Sequence, residues 1–496
     1  MSEESTQPHH TAASTGTGEA PPPSPGIPLQ EEARRTEHSV VIDGATIHYT
    51  AVAGTLLLRD EKGKAKASIF YVAYLQRDAD PATRPITFSF NGGPGSSSVW
   101  MHLGMLGPRR VLSGDVNSLQ PPPHRLVDNE FSILHKTDLV FIDPVSTGYS
   151  RTAPDEEAKQ FHNVEKDVES VADFIRLFTT RNNRWLSPKF LIGESYGTTR
   201  AAGLAGHLQD RHGFYVNGLM LISTILNFQT ARFTTGNDLP YPLFLPTYAA
   251  TAWYHNRLDD DLQADLKRTL REVESFAATE YTLALMRGDK LAPETRGEIV
   301  AKLARYTGLS EAFVARANLR VDIYRFVKEL LREDGRTVGR LDSRFQGIDR
   351  DAAGERFEYD PSLSIIYGAY TAAFNDYVRR TLDFASDLPY EILSNLYENW
   401  DYGKHQNEFL DVAETLRAAM NKNPFMKIFI ANGYFDLATP YFATDYTFNH
   451  LGLDPSRRRN IVTAYYEAGH MMYVHEPSLQ RIQQDLAAFI EQAWPQ

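Results

Sequence analysis

Cysteine is absent from this chain of 496 residues. This absence excludes disulfides and a thiol nucleophile. No apolar run approaches the roughly 18 residues that a membrane-spanning helix requires. The net charge of −12 disfavours nucleic acid and anionic membranes as partners. No ligand spacing of the His-Glu-x-x-His kind occurs, so we expect no metal and no other cofactor.

The first residues contain no hydrophobic signal region, and they are rich in Ser, Thr, Pro, Gly and Glu. Such a composition cannot bury a core, so we predict a disordered tail over residues 1–36. We expect a cytoplasmic location and leave a periplasmic or secreted one open, because a lack of cysteine does not separate these compartments. The rest of the chain is apolar enough for a packed interior, with 42% hydrophobic residues.

A Gly-Glu-Ser-Tyr-Gly segment at 193–197 follows an apolar stretch and precedes a helix-like one. A serine at a tight strand-to-helix turn exposes its hydroxyl, and flanking glycines relieve the crowding of such a turn. Ser195 is therefore a candidate nucleophile. The pattern alone is weak, because an ordinary glycine-rich turn between a strand and a helix looks the same.

A glycine-rich loop at 91–98 follows a strand-like segment at 85–90. Backbone N–H groups in such a loop form a concavity that binds negative charge. Acyl transfer requires two such donors, and we assign them to Gly93 and to Tyr196, the residue after the candidate nucleophile. A phosphate-binding loop is the rival interpretation, but no Gly-Lys-Ser or Gly-Lys-Thr follows.

Two further strand-like segments each lead into a polar residue that suits this chemistry. The segment at 427–431 leads to Asp436, and the segment at 461–466 leads to His470. The order Ser195, Asp436, His470 is the one that α/β-hydrolases produce. In that interpretation His470 takes the serine proton, and Asp436 orients the imidazole and stabilises its charged form.

Together these segments resemble the serine carboxypeptidase family. Its members carry an Asn-Gly-Gly-Pro-Gly loop, a Gly-Glu-Ser-Tyr turn, a Gly-x-x-Asp turn and a Gly-His-Met segment, matched here at 91–95, 193–196, 433–436 and 469–471. The segment at 141–150 is similar to a further strand and loop of that family. The resemblance implies that Asn91, Gly92 and Glu194 hold the terminal carboxylate of a peptide substrate.

One departure from the family pattern concerns that carboxylate. Where the family has a second glutamate, this sequence has Met105. Two acids that share a proton can bind a carboxylate only while one remains protonated, and Met105 breaks this arrangement. Arg109 or Arg110 could supply a bidentate clamp instead, although a pair of solvated surface arginines is the simpler interpretation.

The order of strand-like and helix-like segments predicts an α/β-hydrolase fold, with a mostly parallel sheet and antiparallel strands at its N-terminal edge. Residues 37–226 form the first part of the core and 406–496 the second. The segment between them, 227–405, shows helical spacing and is expected to be a cap inserted above the active face. Most of its aromatic residues are expected to form the interior of the cap.

Three functions compete on these observations. The first is a serine-type carboxypeptidase acting on peptides, and the second is an esterase, amidase or acyltransferase that uses the same triad. The third is a non-catalytic binding protein, which the intact set of reactive residues disfavours. The sequence leaves the oligomeric state, the preferred side chains and the biological role open.

Overall fold

The computed structural model describes residues 29–494 apart from residues 113, 117 and 406. The strands are β1 (Ala33–Ile42), β2 (Ala45–Arg59), β3 (Ala65–Gln76), β4 (Ile86–Phe90), β5 (Arg109–Leu112), β6 (Arg125–Asp128), β7 (Asp138–Ile142), β8 (Arg151–Thr152), β9 (Lys189–Ser195), β10 (Gly218–Thr224), β11 (Thr337–Val338), β12 (Gln346–Gly347), β13 (Lys427–Gly433) and β14 (Ile461–Tyr466). The helices are α1 (Val99–Met101), α2 (Val164–Arg181), α3 (Tyr196–His212), α4 (Pro240–Tyr254), α5 (Asp260–Gln263), α6 (Leu266–Phe276), α7 (Thr282–Arg287), α8 (Pro293–Thr307), α9 (Glu311–Arg316), α10 (Ile323–Glu329), α11 (Pro361–Arg380), α12 (Ala413–Lys422), α13 (Tyr441–Asn449), α14 (Pro455–Arg458) and α15 (Glu476–Ala493).

One sheet of ten strands organises the molecule, with the order β1-β2-β3-β7-β4-β9-β10-β13-β14 and β8 beside β3. The pairs from β1 to β7 are antiparallel. From β7 to β14 every neighbouring pair is parallel. This arrangement confirms the predicted α/β-hydrolase fold. Because the carboxyl ends of parallel strands meet at one edge of a sheet, the loops after β4, β9, β13 and β14 converge there.

The central strands are buried on both faces, which is why they read as continuous apolar runs. Along β10, Met220 and Ile222 belong to the core on one face, whereas Leu219 and Leu221 belong to the core on the other. Helices α11 and α15 contribute to the first core, and α2, α3 and α12 to the second. The sheet therefore lies between two layers of helices and holds its loop-bearing edge rigidly.

The first part of the segment predicted as a cap has its own apolar core, made by α4, α6, α8 and α10 among others, whereas α11 of the same segment packs into the core on one face of the sheet. Aromatic side chains fill it, and Tyr248 stacks on Phe326 with ring centroids 4.0 Å apart. The predicted helical character is present, but β11 and β12 form a small antiparallel pair that the sequence did not indicate. Each of these strands has two residues, too few to produce an alternating pattern.

The first strand begins earlier than the predicted end of the tail. Residues 1–28 of that tail lie outside the described residues, but β1 starts at Ala33 and pairs with β2 from its first residue. Before it, Glu31 accepts a hydrogen bond from the Leu57 N–H and pairs with Arg181. The boundary at residue 37 is therefore wrong. β1 is an edge strand whose first half is mostly exposed and polar, so it lacks the apolar alternation of a half-buried strand.

Buried ion pairs stabilise the sheet at the end opposite to the converging loops. Asp138, the first residue of β7, accepts hydrogen bonds from Arg84 Nε at 2.7 Å and Arg184 Nη1 at 2.5 Å. The side chains of Asp138 and Arg184 are each only 4% exposed. Removing one partner from such a buried network leaves the other charges without compensation.

We expect Asp138→Asn to lower the free energy of unfolding by roughly 3–5 kcal/mol, because the buried Arg184 and the largely buried Arg84 lose their carboxylate. Asp128→Asn is the matched control, since Asp128 pairs with Arg109 at the surface and its side chain is 66% exposed. That change should cost less than about 1 kcal/mol. Urea unfolding of both variants measures the difference, and equal losses would contradict the assignment.

Candidate active site

Ser195 lies at the junction of β9 and α3 in a conformation that side chains rarely adopt, with φ 60° and ψ −129°. The turn leaves no room for side chains beside it. A Cβ atom on Gly193 would overlap the carbonyl oxygen of Gly197, and one on Gly197 would lie 2.7 Å from the Phe90 carbonyl oxygen. The glycines on both sides of the serine are therefore required by close packing, and the strained turn presents Ser195 at the sheet edge.

The glycine-rich loop after β4 packs directly against this turn, because β4 is the neighbour of β9 in the sheet. A Cβ atom on Gly92 would lie only 2.5 Å from the Tyr196 backbone nitrogen. Gly93, Ser195 and Tyr196 line one cavity of about 450 Å³. As the first residue of α3, Tyr196 has an N–H group without a partner inside the helix. Gly93 and Tyr196 therefore both border the cavity beside Ser195.

Asp436 and His470 form a buried pair on the loops after β13 and β14. His470 Nδ1 donates to Asp436 Oδ2 at 2.7 Å, and the two side chains are 5% and 0% exposed. The other carboxylate oxygen accepts the N–H groups of Ala438 at 2.8 Å and Thr439 at 3.0 Å. With Nδ1 engaged, Nε2 is the nitrogen of His470 that can accept a proton.

Thr439 was not identified from the sequence, yet it is the closest side-chain partner of Asp436 besides His470. Its hydroxyl donates to Asp436 Oδ2 at 2.7 Å and lies 3.2 Å from His470 Nδ1. The available signal was the Asp-x-x-Thr spacing after a strand, since Asp and Thr side chains commonly bond to such turns.

The backbone of His470 is fixed on both sides. Its N–H donates to the Leu341 carbonyl of the cap at 2.6 Å, and its carbonyl accepts the Ser223 hydroxyl from the end of β10 at 2.6 Å. Thr224, the next residue, pairs with Ser195 across the sheet. Residues of β10 therefore connect the histidine loop with the serine turn.

Electrostatics favour the charged form of His470. Burial by itself lowers its pKa, but the charge and hydrogen bond of Asp436 and the charge of Glu194 outweigh this effect and raise the pKa above its usual value. An imidazole with a raised pKa is a stronger base. The arrangement can therefore draw a proton from a hydroxyl group at Nε2.

Asn91 and Glu194 form a second buried polar pair beside Ser195. Asn91 Nδ2 donates to Glu194 Oε1 at 2.8 Å. Burial is the largest influence on Glu194 and raises its pKa to about 7, although the charge of His470 and contacts with Tyr473 and Asn91 act against it. Glu194 Oε2 and the Tyr473 hydroxyl are both buried without a hydrogen bond of good geometry. The sequence did not identify Tyr473 as a neighbour of this site.

A buried arginine fixes the loop that carries Asn91. Arg200, in α3, donates to the Asn91 carbonyl at 2.6 Å and forms an ion pair with Asp167 of α2 at 2.8 Å. Its side chain is 1% exposed. One guanidinium group thus connects the helix that follows Ser195 with the glycine-rich loop.

Comparison with known proteins identifies the family. The family profile described as serine carboxypeptidase matches residues 48–483. The chain belongs to the serine carboxypeptidase family. Serine carboxypeptidase-like 50 of Arabidopsis thaliana is 26% identical over 274 residues, 53% of each chain. The pheromone-processing carboxypeptidase KEX1 of Saccharomyces cerevisiae is 33% identical over 156 residues, 29% of this chain and 20% of that protein.

The match thus spans about half or less of the length of these two curated relatives. Among solved structures, the chain is similar to a highly thermostable carboxyl esterase from Bacillus coagulans. The identity is 13%, the TM-score is 0.34, and the match covers 88% of this chain and 97% of that one. The fold assignment rests on the sheet order described above and not on this likeness.

The departure at Met105 from the family pattern has a clear structural setting. Met105 lies in the π-helical turn His102–Leu106 and belongs to the apolar core, with 1% exposure. Gly104 beside it leaves space for two aromatic residues, since a Cβ there would lie 2.5 Å from the Tyr473 ring and 2.6 Å from the Tyr370 hydroxyl. Burial and then the charge of Glu194 raise the pKa of both Tyr370 and Tyr473, so these two tyrosines lie close to Glu194.

The two candidates for an alternative clamp, Arg109 and Arg110, each have an acidic partner. Arg109 pairs with Asp128 at 2.7 Å, and Arg110 pairs with Glu130 at 3.2 Å. Both arginines belong to β5, which pairs with β6. The acid that pairs with Arg109 lies in β6, and the acid that pairs with Arg110 lies just after it. Neither lines the cavity that contains Ser195, but Arg110 lines a smaller cavity that also contains Tyr370 and Tyr473.

Within residues 29–494, leaving aside 113, 117 and 406, no group of three or more His, Cys, Asp or Glu side chains could hold a metal ion. Among the same residues, no helix is long and apolar enough to cross a membrane.

We expect Thr439→Val to lower kcat/KM by roughly tenfold, because a buried carboxylate loses a hydroxyl donor. The acid limb of the pH profile should also move, since His470 and Asp436 interact through the same oxygen. Thr447→Val is the matched control: Thr447 is buried in α13 and donates to the Ala443 carbonyl of its own helix. Equal losses in activity from the two variants would refute the role of Thr439.

Proposed function

We propose that this protein is a serine-type carboxypeptidase that removes C-terminal residues from peptides through an acyl-enzyme. The observation that carries the proposal is the presence of two buried polar contacts, Asp436 with His470 and Asn91 with Glu194. Asp436 and His470 provide a base, and Asn91 and Glu194 provide a group that can bind a carboxylate. Membership of the family supports the same activity.

In the proposed reaction each of these groups has one role. His470 Nε2 takes the proton of the Ser195 hydroxyl while the oxygen attacks the carbonyl carbon of the last peptide bond. The N–H groups of Gly93 and Tyr196 stabilise the oxyanion that forms. As the intermediate collapses, the C–N bond breaks and His470 returns the proton to the leaving amine. Water, activated by His470 in the same way, then releases the peptide acid and free Ser195.

Glu194 gives this reaction its preference for a chain end. A protonated carboxyl group can donate a hydrogen bond to the carboxylate of the substrate, whereas an ionised one repels it. With its pKa raised to about 7 by burial, Glu194 is protonated in weakly acidic solution. The Asn91 amide, which has a second N–H, is the further donor beside it.

An esterase, amidase or acyltransferase is the second candidate, and Met105 is the observation that favours it. Without a second glutamate, the carboxylate site has one acid fewer than the family pattern. The two candidates differ in one measurable property, the ratio of kcat/KM for a blocked dipeptide acid to that for its C-terminal amide or ester. A ratio well above one supports the carboxypeptidase, and a ratio at or below one supports the alternative.

We expect Ser195→Ala and His470→Ala each to lower kcat on a peptide acid by roughly 10⁴-fold or more. The double variant should lose little beyond either single variant, because the three residues act as one unit. His450→Ala is the control, since His450 is an exposed histidine at the end of α13. Additive losses, or an equal loss from the control, would contradict the assignment.

The pH profile tests Glu194. Because Glu194 loses its proton as the pH rises through about 7, kcat/KM for a peptide acid should fall there, while the matching amide should be much less affected. The limb on the acidic side, where His470 is protonated, should be common to both substrates. In Glu194→Gln the fall on the peptide acid should disappear, since an amide side chain does not ionise. Identical profiles for acid and amide in the wild type would refute the role of Glu194.

A further inference from the structure

The cavity in front of Ser195 is positively charged, whereas the chain as a whole carries −12. Its lining contains three arginines, Arg232, Arg340 and Arg356, and, among the described residues, one acid, Asp322. A cleft of one sign concentrates ligands of the opposite sign, because its low-dielectric walls focus the field. The cavity therefore favours anionic groups in a protein that otherwise repels them.

The single acid of the lining is already engaged. Asp322 begins α10 and accepts the backbone N–H groups of Tyr324 at 2.9 Å and Arg325 at 3.1 Å. The Arg325 side chain adds a positive charge at 3.7 Å. Asp322 thus caps a helix, and Arg325 is shared with Glu355 at 3.3 Å. Three arginines against one aspartate still leave the lining with an excess of positive charge.

Arg340 is the cavity arginine whose position is most closely fixed. Its carbonyl accepts the N–H of Leu437, the residue after Asp436, at 3.1 Å. The next carbonyl, that of Leu341, accepts the His470 N–H at 2.6 Å. Asp360 accepts the N–H groups of both Arg340 and Leu341 at 3.2 Å. The backbone of Arg340 and Leu341 is therefore attached to both catalytic loops.

The side chain of Arg340 has no such partner. It is half-buried, and across the described part of the chain no hydrogen bond or ion pair reaches its guanidinium group. Arg340 lines the cavity together with Ser195 and Thr439, and its charge opposes the rise in the pKa of His470 that Asp436 causes. A partly desolvated guanidinium group without a counter-ion is costly, and a ligand carboxylate would offset that cost with bidentate hydrogen bonds.

The other two arginines lie at the mouth of the cavity and are exposed. Arg356 lies over the Tyr324 ring at 4.7 Å, and Arg232 over the Phe228 ring at 5.5 Å. Neither forms an ion pair with an acid among the described residues. They add to the positive field along the path to Ser195.

We propose that this cavity selects peptides with an acidic side chain on the acyl side of the scissile bond, and that Arg340 binds the carboxylate of that side chain. The proposal rests on the proposed function for the reaction itself. The acyl side is assigned because Asn91 and Glu194, which serve the terminal carboxylate of the leaving residue, do not line this cavity. The cavity is thus left for the part of the peptide that stays on Ser195.

The test compares four blocked dipeptide acids: Glu-Phe against Gln-Phe, and Phe-Glu against Phe-Gln. In the wild type we expect kcat/KM for Glu-Phe to exceed that for Gln-Phe by about tenfold or more, as for a charge-assisted pair. In Arg340→Met that ratio should fall to near one, and in Arg340→Lys it should lie between, because lysine lacks the planar fork. The effect should appear mainly in KM, since the ion pair is present before and during the reaction.

Arg316→Met is the control, since Arg316 ends α9 in the same cap but does not line the cavity; its Glu-to-Gln ratio should equal that of the wild type. A wild-type ratio near one, or a ratio that survives in Arg340→Met, would overturn the proposal. A preference for glutamate only in the Phe-Glu pair would overturn the assignment to the acyl side.

Binding of the same peptides to Ser195→Ala separates this proposal from the proposed function. Calorimetry on that variant, with and without Arg340→Met, measures the affinity ratio even if none of the peptides is cleaved. Tighter binding of Glu-Phe that depends on Arg340 supports the anion site whether or not turnover occurs. Equal affinities for Glu-Phe and Gln-Phe contradict it even if both are hydrolysed.

Discussion

The carboxylate of Asp436 is removed from water, and the rest of the site depends on how that removal is compensated. Four donors surround its two oxygens: the N–H groups of Ala438 and Thr439, the Thr439 hydroxyl and His470 Nδ1. Because a buried charge without partners is unstable, this set determines where the aspartate turn and the histidine ring can lie. It also directs the second ring nitrogen away from Asp436. The turn that carries Ser195 has a separate basis, the close backbone packing that requires glycine at positions 193 and 197.

Core and cap share this construction. The sheet supplies the strand ends, but the segment that contains Arg340, Leu341 and Ser343 holds the aspartate and histidine loops from the side of the cap. Ser343 N–H donates to the Phe435 carbonyl at 3.0 Å. The Arg340 carbonyl bonds to Leu437 and the Leu341 carbonyl to His470, as described above. A change in the cap can therefore alter the catalytic loops through the backbone, and the charge of the cavity is set by cap residues. Substrate preference and catalytic geometry are thus physically linked in this chain.

The sequence predicted the parts of the site that local patterns encode. Ser195, Asp436 and His470 each follow an apolar strand, and parallel strands deliver their ends to one edge, so their shared location follows from the fold. The family and the fold class are confirmed.

Contacts between distant segments could not be predicted from the sequence. Arg340 looks like any polar residue of the insertion, and neither its place in the lining of the cavity nor its hydrogen bond to Leu437 can be read from its own segment. Tyr473 reaches Glu194 because Gly104 leaves room for its ring, which no single segment reveals. Asp128 and Glu130, which pair with Arg109 and Arg110, lie on the facing strand or just after it. The sequence did not reveal these partners, so the two arginines were candidates for a clamp.

The account rests on one nucleophile, and covalent labelling identifies it most directly. A fluorophosphonate should modify the folded protein at one residue in a one-to-one ratio, and peptide mass spectrometry should locate the phosphonyl group on Ser195. The same reagent should label His470→Ala far more slowly, since the serine then has no base. Stoichiometric modification of any other residue, or labelling of His470→Ala at the wild-type rate, would contradict the account.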